Sequence, residues 1–221
     1  MKETYNILNL YACLGGNRYK WNDVADINVT AVELDSDLAK MYQERFPNDN
    51  VIVGDAHAYL LHNYKDFDFI WASPPCPTHS RMKLNQAKGT GNHQPVFPDM
   101  KLYEEIIFLT HYFNGKWCVE NVIPYYEPLI PAKKRGRHLY WTNFNLPNDL
   151  KGEVPKSSWN QPGLGILEKY HEIDGLMKNY NASKRKDSMI NNLVDYKAGK
   201  TILETALGVL KKQDVKQFEM F

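Results

Sequence analysis

The chain has only three cysteines in 221 residues, Cys13, Cys76 and Cys118, and no two of them form a CxxC pair. So sparse and odd a set excludes a disulfide framework and a structural zinc site, and no metal is expected. No run of about 18 apolar residues occurs, which excludes an ordinary helical membrane span. The opening MKETYNILNLY is too short and too interrupted for a secretory signal, so a soluble cytoplasmic protein is expected. Charge of one sign is missing too, the formal net charge being +1. A GxGxxG fingerprint is also absent, which argues against a dinucleotide cofactor. Neither an internal repeat nor a low-complexity tract is present.

Core material is ample: 43% of the residues are hydrophobic, with 14 Tyr, 9 Phe and 5 Trp. That composition excludes disorder and suits one main domain. Short apolar runs at 6–11, 29–34, 50–55, 67–73, 117–122 and 138–144 read as strands. Between them, Asp35 or Ser36 caps a segment with Leu38, Met41, Tyr42 and Phe46 on one helical face. The stretch 99–113 repeats the pattern with Leu102, Tyr103, Ile106, Ile107 and Phe113. Strands alternating with amphipathic helices predict a doubly wound α/β domain with a mostly parallel sheet. From 145 to 185 periodicity fades among prolines and glycines. A last helix carries Ile202, Leu203, Ala206, Leu207 and Leu210 on one face.

Doubly wound sheets bind ligands beyond the carboxyl ends of their strands. Gly15 and Gly16 follow the first strand and are expected to open a short helix close to a ligand. Glu33 ends the second strand, where a carboxylate can accept from both ribose hydroxyls. Asp55 follows the third, where it could face an adenine amine. Each alone suits a tight turn or a helix cap. Together they favour an adenosine-bearing cofactor, and S-adenosylmethionine suits best because it has no pyrophosphate.

Cys76 follows the fourth strand in WASPPCPTHS, where flanking prolines fix the backbone. Glu120 ends the fifth strand beside it. Arg135 and Arg137 lead into the next strand, two apart, so in an extended chain they share a face. A thiolate adding to carbon 6 of cytosine pushes electrons to carbon 5, and an acid at N3 stabilises the adduct. A duplex base must be flipped out to meet the thiol. Arginines and backbone amides near Cys76 are expected to lower its pKa.

These segments, in this order, resemble the DNA (cytosine-5) methyltransferase family from end to end. NLYACLGGN resembles its cofactor loop, AVELD its ribose-binding acid and VGDAH its adenine-side acid. SPPCPTHS resembles the nucleophile loop, ENV the glutamate that contacts N3, and KKRGR the paired-arginine segment. NNLVDYKAGKTILETAL resembles the final motif, whose asparagine and helix pack back on the cofactor site. The resemblance implies a Rossmann-like S-adenosylmethionine-dependent methyltransferase, with S-adenosylhomocysteine as product. It makes Cys76 the nucleophile and Glu120 the acid, with Arg135 and Arg137 holding the pyrimidine and its phosphates. It implies cofactor contacts from Tyr11, Ala12, Cys13, Gly15, Gly16, Glu33, Leu34, Asp55, Ala56, Ser73, Pro74 and Asn192. Arg81, Lys83, Lys88, Lys133 and Lys134 are candidates for double-stranded DNA contact, with residues 81–98 as a closing loop.

Departures are Cys13 for a glycine, Lys133 for a glutamine, and Asn191 and Tyr196 for a glycine and a proline. Residues 1–144 are expected to form the catalytic core, 145–185 a reduced target-recognition region and 186–221 a helix completing the core. The small size resembles phage and mobile-element enzymes that block host restriction, acting as monomers in a bacterial or phage-infected cell. Three alternatives stay open: methylation of tRNA, amino methylation at N4 or N6, and an inactive nucleic-acid-binding relative.

Overall fold

The computed structural model describes residues 4–81, 85, 89, 96–150, 164–176, 189–190 and 193–209. Its sheet has seven strands: β1 (Tyr5–Leu10), β2 (Ile27–Glu33), β3 (Asn50–Val53), β4 (Phe69–Ala72), β5 (Lys116–Val122), β6 (Lys133–Arg135) and β7 (His138–Thr142). Their order is β3-β2-β1-β4-β5-β7-β6. The first five are parallel, and β7 runs antiparallel to both β5 and β6. The helices are α1 (Ser36–Arg45), α2 (Ala56–Asn63), α3 (Lys101–Tyr112), α4 (Leu164–Tyr170) and α5 (Tyr196–Leu207). This is the α/β class that the alternating pattern predicts.

The period-two alternation of buried strands sorts their side chains into two cores. Leu8, Leu10, Ile70, Ala72 and Val119 face α2 and α3 with Leu60, Leu102, Ile106 and Leu109. Ile7, Phe69, Trp71, Cys118 and Tyr140 face the other way, against Trp21 and α5 residues Ile202, Leu203 and Ala206. Asp35 caps α1 by accepting from the Asp37 and Leu38 amides, and Asp195 caps α5 in the same way. Gly208, at φ 69°, ends α5 in a left-handed turn.

Two local expectations are corrected. Gly15 and Gly16 open no helix: turns lead from them to a three-residue 3-10 segment, Trp21–Asp23. Within the stretch read as irregular lies α4, held by burial of Leu167 and the following Ile173 against Leu14, Leu38 and Met41. Tertiary burial selects that helix where local periodicity is silent.

At the end of α4, His171 is buried edge-on against the paired rings of Tyr170 and Tyr196, and its Nδ1 has no partner among the described residues. Burial lowers its pKa to about 4, with Arg45 adding to the effect. A base whose folded pKa is depressed stabilises the fold above its unfolded value of about 6.5 and loses that stability as pH falls toward 4. The loss is expected to be roughly 3 kcal/mol. Denaturant titrations at pH 7 and pH 4 should show a correspondingly smaller acid loss for His171→Phe. An equal loss in both proteins would refute the assignment.

Candidate active site

The strand order reverses between β1 and β4, and the crevice at that switch point is where open α/β sheets bind ligands. A cavity of about 660 Å³ opens there, a size ordinary for a small-molecule site. Its wall includes Tyr11 after β1, Glu33 and Leu34 at the end of β2, Asp55 and Ala56 after β3, and Pro74 after β4. Asp35, Ser36, Pro75, His79, Asp99, Lys101 and Leu102 complete it.

Of the anticipated cofactor residues, Ala12, Cys13, Gly15, Gly16 and Ser73 are not part of this wall. The two glycines are closely packed. A Cβ on Gly16 would lie 2.5 Å from the Val194 carbonyl oxygen, and one on Gly15 would strike the Tyr42 and Phe46 rings. Ser73 Oγ accepts from Trp71 Nε1 at 2.8 Å. Cys13 takes φ 47°, and Tyr11 φ 58°. Such left-handed backbone costs a residue bearing a side chain about 1–2 kcal/mol, which is why glycine suits the Cys13 position. Burial and the neighbouring Glu33 push the Cys13 thiol up to about 12, so it is inert at neutral pH.

Glu33 is shaped to receive two donors. Its Oε2 accepts the Cys13 amide at 2.8 Å and its Oε1 the Asp35 amide at 2.9 Å. Each carboxylate oxygen has two acceptor sites, so one remains on each. Beside it Leu34 is 72% exposed, an apolar side chain held open at the cavity. Asp55 caps α2 through the Ala58 amide, the main cause of its depressed pKa, and approaches Lys101 Nζ at 3.6 Å. Cap and cavity wall are therefore the same residue.

The thiol lies on the loop after β4. Leu10, Ala72 and Val119 share one level of the sheet, so Glu120 stands one residue beyond, at the carboxyl edge. The loop is pinned from several sides. The Cys76 carbonyl accepts from the His79 and Ser80 amides, both at 3.0 Å. Asn121 Nδ2 donates to the Pro74 carbonyl at 2.9 Å, and Ser80 bridges to Pro124. His79 Nδ1 lies 2.5 Å from the Tyr126 hydroxyl. Glu120 is buried on β5, with His138 Nε2 3.7 Å from its Oε1.

Electrostatics reverse one expectation. Burial, then the Glu120 carboxylate, raise the Cys76 pKa, and Arg137 only partly offsets them. The thiol is therefore protonated at neutral pH. The arginine pair also departs from a shared face. Gly136 takes φ 56° and turns the chain between β6 and β7, so residues 135–137 are not extended. Arg137 is exposed and acts on the thiol. The Arg135 guanidinium instead donates to the Pro147, Leu146 and Lys134 carbonyls. Lys133 Nζ reaches the Phe144 carbonyl at 2.7 Å and Thr142, at the far end of β7 from the crevice. Lys134 is exposed, and Arg81 Nε donates to the Pro124 carbonyl at 2.9 Å. Lys83, Lys88 and Asn192 lie outside the described residues, as does most of the expected closing loop and of 145–185.

Sequence reading missed His57, His79, Asp99, Lys101, Glu105 and His138. Of these, Glu105 carried a readable signal, a polar residue on the otherwise apolar buried face of α3.

No curated protein matches the chain. Among solved structures, the chain is similar to an Entamoeba histolytica methyltransferase, EhMeth, at 13% identity over 55% of this chain and 39% of that one, TM-score 0.37. A mutant of Spodoptera frugiperda DNMT2 matches at 22% identity over 53% and 35%, TM-score 0.38. A putative DNA modification methyltransferase encoded within an Escherichia coli prophage matches at 19% identity over 56% and 33%, TM-score 0.36. The chain thus spans well under half the length of each. Among the described residues, no helix is long and apolar enough to cross a membrane. The part of the chain that builds the crevice, from β1 to the end of β5, is also the part that fits a family model, that of C-5 cytosine-specific DNA methylases, over residues 5–122. That match takes in more than half of the chain, which belongs to this family.

Proposed function

We propose that the protein transfers a methyl group from S-adenosylmethionine to carbon 5 of a flipped-out cytosine in double-stranded DNA, through a covalent bond from Cys76 to carbon 6. The observation that carries this reading is the thiol loop itself, pinned to β5 at the switch point with Glu120 acting on the sulfur.

The cavity's charge supports the cofactor. Glu33, Asp35, Asp55 and Asp99 line it against one ammonium, Lys101. Four carboxylates favour a ligand carrying a sulfonium and an ammonium and disfavour nucleotide phosphates. Glu33 would take the ribose hydroxyls on its two remaining acceptor sites, and Leu34 would lie against an apolar face of the ligand. When bound, the cofactor supplies an electrophilic methyl group.

The remaining work falls to the chain's own groups. The proton on Cys76 must leave before attack, and the Glu120 carboxylate is the base beside it. Moving that proton from sulfur to oxygen yields both a thiolate for carbon 6 and a carboxylic acid that can donate to N3. After methylation, loss of the carbon 5 proton to a base expels the thiolate, and return of the N3 proton to Glu120 restores the ring. Arg137 stabilises the thiolate. Residues 145–185 would choose the target.

Incubation with labelled cofactor, followed by mass spectrometry of nucleosides from duplex DNA and from tRNA, tests the reading. 5-Methyldeoxycytidine is the expected product. Label found only in tRNA, or on N4 or N6, would overturn it. Glu120→Gln is expected to lower turnover by roughly 10²–10⁴-fold.

A further inference from the structure

Tyr11 walls the cavity from a backbone conformation that residues with side chains rarely adopt. What holds it there lies at the other end of its side chain. The phenol donates to Oε1 of Glu105 on α3, 94 positions along the chain. Glu105 is fully buried. The same Oε1 lies 3.1 Å from Nδ1 of His57 on α2, whereas Oε2 has no partner among the described residues. His57 Nε2 in turn lies 3.6 Å from the exposed Glu104.

The rest of the buried face of α3 is Leu102, Tyr103, Ile106 and Leu109. An apolar residue would pack at position 105 without the desolvation that a carboxyl group suffers. The carboxylate therefore has a local reason to be there, and its hydrogen bonds identify it: it grips Tyr11 and is itself steadied by His57.

We propose that Glu105 and His57 are positioning residues that hold Tyr11 against the cavity, so that ligand affinity there depends on the charge of His57 although neither residue touches the ligand. This rests on reading the cavity as the cofactor site. The groups facing His57 are the carboxylates of Glu105, Glu104 and Asp55 and the ammonium of Lys101, while Tyr11 faces Glu105, Asp55 and Asp99. The bond to Glu105 outweighs burial and raises the His57 pKa above its ordinary 6.5. The stabilising charge is thus fully present below about 6.5 and is lost as pH rises through the higher folded value. His79, also on the wall, has its pKa lowered by burial and stays neutral over that window.

The test uses the full chain, S-adenosylhomocysteine as probe, and Tyr11→Phe, His57→Leu and the double variant. Calorimetry from pH 6.5 to 8.5 should show wild-type affinity falling about three- to tenfold, a span typical of coupled neighbours. His57→Leu should hold the weak value throughout. Tyr11→Phe should bind no better than the double variant, because without the phenol His57 has nothing to act through. Thermal unfolding of the same set should be non-additive. Additive losses in unfolding, or wild-type pH dependence retained in His57→Leu, would overturn the proposal. A wild type that bound no probe yet unfolded non-additively would overturn the cofactor reading and uphold the clamp.

Discussion

Cys76→Ala is expected to lose methyl transfer by on the order of 10⁴-fold or more while unfolding at the wild-type temperature. The two halves of that expectation have separate causes. On the proposed mechanism, loss of the sulfur leaves carbon 5 unactivated, because no second nucleophile is at hand. Cys118 is buried in the core behind Glu120, and Cys13 is held protonated by burial and Glu33. The fold keeps its stability because backbone groups and neighbours pin the loop, not the thiol: the His79 and Ser80 amides, Asn121 and the bridge to Pro124. With cofactor present, a duplex containing 5-fluorodeoxycytidine should trap the wild type as an adduct of increased mass, since carbon 5 then carries fluorine where a base would have to remove a proton. Methyl transfer retained in Cys76→Ala would end the covalent mechanism.

Gly199→Val is expected to destabilise the protein by about 4 kcal/mol. Gly199 lies where α5 crosses the loop after β1, and a Cβ there would overlap the Asn17 carbonyl and come 2.7 Å from Asn17 Cα. Overpacking usually costs up to about 3 kcal/mol, but no rotamer relieves a clash with backbone, and a β-branched residue also suits a helix less well. Relief requires α5 to lift, which breaks the bond from Trp21 Nε1 to the Gly199 carbonyl and loosens Ile202 and Leu203. For a chain of this size that corresponds to roughly 8–16 °C in melting temperature. A change below 2 °C in a thermal melt would show that the loop can yield.

How much of this was legible in the sequence depends on the range of the interaction. Strands β1 to β5 and the residues at their carboxyl ends could be placed because apolar runs and a cap such as Asp35 are local signals. The position of Glu33 at the cavity and of Glu120 beside the thiol loop follows from sheet register alone. The clamp of Tyr11 by Glu105 was invisible, because nothing local joins residues 94 apart. The arginine pair misled because a single glycine at φ 56° turns an extended dipeptide frame into a hairpin. The thiol's pKa misled for a different reason. Its basic neighbours are readable in sequence, but desolvation depends on what covers the sulfur, and in this fold it dominates. The Arg18–Asp49 pair, buried and bidentate, belongs to the same class of distant partners.

The crossing of α5 over the loop after β1 joins the beginning of the sheet to residues nearly two hundred positions later. During synthesis the parallel strands emerge first, yet the far end of that loop, at Gly16 and Asn17, has no seat until Val194 and α5 arrive. A chain halted before residue 196 would own the sheet and every residue of the cavity wall, but not the helix that covers Trp21 and Asn17 behind it.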